Sequence, residues 1–167
     1  LWEILSRDLD GIFLSGALAM LACAPAAILA GIALWLGSLP LCLLAAAAAG
    51  WLVGPALTCL YDTILRALRD EPGFWWHTYK RVWKQSFKSS LVPGIVFTLL
   101  WTLVAYAAFV LPQMTTVSAG FALVLVLDMV LLLTLGSYYW MQNALFDAPV
   151  SKKLSNCVRM LLGFLPR

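Results

Sequence analysis

Charged residues divide this chain into long apolar stretches. No Asp, Glu, Lys or Arg occurs between Asp10 and Asp62, and none occurs between Lys88 and Asp128. A helix needs about 20 mostly apolar residues to cross a bilayer. The first gap therefore holds two spans, and the stretch from Ser89 to Phe146 holds two more. The pattern predicts an all-α, polytopic transmembrane helical bundle with spans at 11–36, 41–61, 91–111 and 119–141. Pro25 should kink the first span. The turn Gly37-Ser38-Leu39-Pro40 reverses the chain into the second. There Ala46, Gly50 and Gly54 recur every four residues, a small-residue stripe that lets helices approach closely. The stripe suits packing inside the chain, and a homo-oligomer through such faces is the alternative. Pro55 directly after it marks a kink or a break.

Between the second and third spans the pattern changes period. After a turn at Glu71-Pro72-Gly73, residues 73–88 lay out on a helical wheel as two adjacent faces. Trp75, Trp76, Tyr79, Trp83 and Phe87 fall on one, and Lys80, Arg81, Lys84, Lys88 and His77 on the other. Aromatics beside cations also describe a groove for single-stranded nucleic acid. A segment between two membrane spans is better read as a helix lying on the membrane surface, its aromatics anchored among lipid headgroups and its cations on lipid phosphate. Each such cation contributes on the order of 1 kcal/mol near an anionic leaflet. The expected partner is thus a bilayer with anionic headgroups and no nucleic acid. Residues 151–167 read as the start of a further helix, with Ser151 as its N-cap.

Composition agrees. The 167 residues are 63% hydrophobic and 11% charged, where a soluble domain carries roughly 25% charged residues. One membrane domain, 1–167, accounts for the chain. Six of the eleven Lys and Arg residues lie between Asp62 and Lys88 and four lie in the C-terminal segment. The positive-inside rule puts both segments, and with them the N-terminus, in the cytoplasm. The first apolar run is too long for a signal-peptide core, and a start at Leu1 implies that residues precede it. The four cysteines show no metal-ligand spacing and read as small buried hydrophobes.

Asp128 is the sharpest candidate for function. It lies about ten residues into the fourth span, where an aspartate costs about 2.5–3.5 kcal/mol. Three roles fit: a neutral carboxyl bonded to Ser15, Thr98, Thr102 or Tyr106 on neighbouring spans, a proton- or cation-coupled site, or a contact with a partner's helix. His77 lacks the second ligand or carboxylate that catalysis or metal binding requires. No catalytic motif, nucleotide-binding glycine pattern or cofactor motif appears, so neither an enzyme nor a bound cofactor is expected.

Ser38-Leu39-Pro40, Gly54-Pro55-Ala56 with Leu60-Tyr61, Asp70-Glu71-Pro72-Gly73 and Trp83-Lys84-Gln85-Ser86-Phe87-Lys88 together resemble the YesL family of bacterial membrane proteins, the DUF624 domain. The likeness is strongest from Gly54 to Lys88, and Pro40, Gly54, Pro55 and Gly73 are its backbone positions. Leu162 to Arg167 is similar to a family stretch that leads into another span, which implies a chain continuing past Arg167. The segment between the Ser-Leu-Pro turn and Gly54 is longer and richer in alanine than the family pattern. The resemblance implies a bacterial inner-membrane protein of a family that often accompanies sugar-uptake transporters and their regulators. The expected role is a non-enzymatic accessory or scaffold beside sugar-transporter subunits or a membrane sensor. A small-solute transporter or channel using Asp128 is the alternative.

Overall fold

The computed structural model describes residues 9–69, 74–114 and 118–164. Among them no strand occurs. The helices are α1 (Leu9–Trp35), α2 (Leu39–Leu68), α3 (Trp75–Phe109), the short α4 (Leu111–Met114), α5 (Ala119–Leu145) and α6 (Val150–Phe164). Four of these, α1, α2, α3 and α5, are long and apolar enough to cross a membrane, and the chain is the polytopic helical bundle that the charge gaps predict. The core pair is α2 with α3. Helix α1 packs on α2, α5 packs on both α2 and α3, and α6 rests on α5.

The α1–α2 reversal is built on one glycine. Gly37 has φ 64°, a left-handed conformation that costs glycine little. Its N–H bonds Leu34 O at 3.0 Å and the Ser38 N–H bonds Ala33 O at 3.3 Å, the double closure of a Schellman cap. Pro40 sits in the first turn of α2, where a missing N–H costs nothing. From α3, the Tyr106 hydroxyl donates to Gly37 O at 3.1 Å. Tyr106→Phe is expected to cost about 0.5–1.5 kcal/mol, read as a small drop in thermal midpoint in detergent.

The Ala46–Gly50–Gly54 stripe packs inside the chain, against α3. A methyl group added at Gly94 would meet Gly50 O at 2.5 Å and Gly54 Cα at 2.8 Å, so the helices touch backbone to backbone. The Thr98 hydroxyl lies 2.9 Å from both Ala46 O and Gly94 O, sharing its one proton between the helices. Pro55 is fully buried, and α2 runs through it unbroken, as α1 runs through Pro25. Lipid offers a broken helix no substitute hydrogen bonds, which favours keeping the helix.

The helix expected over 73–88 is present but is not a separate surface helix. From Trp75 it forms one helix with the third span, passing through Pro93 to Phe109. Its first turns meet α1, where a Cβ on Gly11 would lie 3.2 Å from Trp75. Further on it meets α5, with Phe97 packed on Tyr139 and Trp140. At the far end, α6 begins at Val150, one residue before the expected N-cap. The Pro149 carbonyl accepts from the N–H groups of Lys152 and Lys153, at 3.0 and 3.2 Å.

Candidate functional site

Where α2, α3, α5 and α6 meet, four polar side chains are sealed from solvent: Thr58 and Ser90 at 0% exposure, Asn143 at 7% and Lys153 at 2%. Lys153 Nζ donates to Asn143 Oδ1 at 2.7 Å. That fixes the amide, whose Nδ2 donates to Thr58 Oγ1 and Ser90 Oγ, both at 2.9 Å. The two hydroxyls are 2.9 Å apart, and Thr58 also donates to Gly54 O at 3.1 Å. With one proton per hydroxyl, the donors then run in order from Lys153 through Asn143 and Ser90 to Thr58 and Gly54. The network is continuous with the glycine contact, because Ser90 lies against Gly54. Burial holds the Lys153 ammonium below the ordinary lysine range, with Asp147 pulling it partly back. A buried ammonium facing one neutral acceptor is under-compensated, so the network fastens α6 firmly only while Asn143 is in place.

Asp128 stands apart from this cluster. It is exposed on α5, about 14 Å along the helix from Ala119 at ~1.5 Å per residue, and makes no hydrogen bond or ion pair with any described residue. The neighbours expected to receive it bond elsewhere: Ser15 donates to Ile12 O, Thr98 is held at the α2–α3 contact, and Tyr106 bonds Gly37 O. Thr102 is buried. A neutral carboxyl bonded between helices of this chain is therefore not the arrangement found. Helix α5 approaches its neighbours chiefly in its second half, around Gly136, Tyr139 and Trp140. Only 6% of its most apolar stretch is buried, against 39% in α2. Asp128 also lies outside the cavity of about 170 Å³ between α2, α3 and α5, whose walls include Leu57, Phe97 and Trp140.

The aromatic face of residues 75–88 turns largely toward protein. Tyr79 and Val82 are buried against Cys59 of α2, with Leu18, Trp75 and Trp83 packed around them. Phe87 is half-buried, while Trp76 is exposed. Anchoring in lipid is thus open to Trp76, and Tyr79 is withdrawn from it. Lys80, Arg81, Lys84, Lys88 and His77 are all exposed, on the face the wheel gave them. Lys80 Nζ sits 4.7 Å from the centre of the Trp76 ring. No cluster of metal ligands occurs among the described residues, and Gly73 lies outside them.

Against known families, the one described as "Protein of unknown function, DUF624" matches residues 13–107, more than half of the chain. The chain belongs to the DUF624 family. No curated protein and no solved structure matches it. The DUF624 match takes in the glycine contact, Thr58 and Ser90, together with the aromatic-basic stretch. It stops before Asp128, Asn143 and Lys153, so the polar network joins a DUF624 half to helices beyond the match. Sequence reasoning missed that network. The available signal was Gln142-Asn143, an amide pair closing an apolar span, followed ten residues later by a lysine spaced i, i+4 from Cys157 on α6.

Proposed function

We propose that this DUF624 protein is a non-enzymatic accessory or scaffold subunit that docks on another membrane protein through α5. In this reading it lies in the bacterial inner membrane, N-terminus in the cytoplasm, and its partner belongs to a carbohydrate-uptake system or its sensor. One observation carries the docking: Asp128 faces outward at mid-span, and none of the described residues satisfies it. Intramembrane carboxylates are rare and normally face a bundle interior or pair with another polar group. A second copy of this chain would bring no cation to that depth, because no Lys or Arg lies between residues 11 and 61 or 89 and 146. The partner helix in this reading is that of a different protein and carries Lys, Arg or His at that depth. A transport role for Asp128 would need it to line a passage, and it lies on the outside.

Asp128→Leu separates the roles. It removes an exposed carboxylate costing about 2.5–3.5 kcal/mol in lipid, so the isolated chain should insert and melt no worse than wild type. The complex purified in mild detergent should fall apart. A complex that survives Asp128→Leu, or an isolated variant that no longer folds, contradicts the docking role.

A further inference from the structure

A second feature, independent of Asp128, lies between α1 and the start of α3. There the helices leave an open groove of about 540 Å³, within the range of about 300–1,000 Å³ typical of ligand sites. Leu18 and Leu21 of α1 form one wall, and Trp76 and Trp83 of α3 the other, while Lys80 and Lys84 stand at its edge. Leu21 is 71% exposed and Trp76 is 41% exposed, large apolar surface that wants cover. The lysines are one helical turn apart, so their ammonium groups are neighbours, and no carboxylate lines the groove among the described residues. Lys80 is folded back over the Trp76 ring, which holds its charge beside the groove.

We infer that this groove binds one anionic phospholipid. An acyl chain lies along Leu18, Leu21 and Trp83, and the phosphate sits between Lys80 and Lys84. Charge complementarity selects the headgroup, since two like charges with no carboxylate among the described lining residues are relieved by an anion placed between them. The apolar walls select a lipid over a free phosphate, which would leave Leu21 and Trp76 bare. This site is a single stoichiometric position, distinct from a diffuse attraction of the whole basic face to the membrane.

Native mass spectrometry of the full chain in mild detergent tests it, with phosphatidylglycerol, phosphatidylcholine or inorganic phosphate added. One phosphatidylglycerol per chain should be retained, at least tenfold more readily than phosphatidylcholine, and phosphate should not displace it. Lys80→Gln with Lys84→Gln should abolish that preference. Arg81→Gln with Lys88→Gln removes the same charge from the same helix outside the groove and should preserve it. Leu21→Trp, a change at an exposed position, should lower retention by filling the acyl path. Equal loss in the two charge variants, displacement by phosphate, or no preference for the anionic lipid would overturn the inference.

Discussion

Gly94→Leu is expected to separate α3 from α2 and leave little monodisperse protein. Even a methyl group at this position meets Gly50 O at 2.5 Å and Gly54 Cα at 2.8 Å. Both are backbone atoms that cannot rotate away. Overpacking a core commonly costs about 1–3 kcal/mol, and a clash against backbone on two turns of the facing helix belongs above that range. The same shift would pull Ser90 off Thr58 and Asn143, so the cost spreads into the polar network. Gly31→Leu is the control, since nothing lies within 4 Å of its position. Size-exclusion profiles and thermal midpoints in one detergent should show a normal Gly31→Leu and an aggregated or strongly destabilised Gly94→Leu. Similar behaviour of the two would mean that α2 and α3 do not touch as described.

Asn143→Leu should be nearly as damaging, for an electrostatic reason. It removes the acceptor of the Lys153 ammonium at a place where that lysine is 2% exposed. A stranded buried donor costs about 1–3 kcal/mol, and more when charged. Thr58 and Ser90 keep each other, so the loss centres on Lys153. Adding Lys153→Met should then recover most of the stability, because replacing both partners with apolar groups is far gentler than removing one. Independent losses that merely add would refute the coupling. Alkaline pH reports on the same lysine. Burial lowers the native pKa of Lys153 below the ordinary 10.5. Between those values the unfolded chain binds a proton that the native chain does not, so stability rises with pH across that window. The thermal midpoint of wild type should climb there relative to Lys153→Met.

What the sequence revealed and what it hid differ by physical cause. The spans were legible because charge is expensive in lipid, and the charge gaps locate them directly. The two-faced character of 75–88 was legible too, but not what its aromatic face covers. Lipid tails and a neighbouring helix are equally apolar, so periodicity identifies a face without saying whether Tyr79 meets Cys59 or a bilayer. Lys153 was hidden for a related reason. Counted along the chain it is one more cation in a basic segment, and its burial follows from Asn143, which meets it only after α6 folds back on α5. Asp128 announced itself as the one charge inside a span, while its outward direction depends on how far α5 parts from the bundle at that level.

The docking role of α5 is tested most directly by photo-crosslinking in native membranes. A photoreactive residue would replace Val124 or Leu131, one turn either side of Asp128 and 54% and 39% exposed. A third would replace Leu29 on α1, 51% exposed, as a lipid-facing reference. Mass spectrometry of the products should place both α5 probes on one transmembrane helix of a different protein, carrying a cationic side chain at that depth. The adduct should vanish with Asp128→Leu, and the Leu29 probe should yield lipid adducts. Lipid adducts alone at Val124 and Leu131, crosslinks to a second copy of this chain, or adducts indifferent to Asp128→Leu would contradict the account.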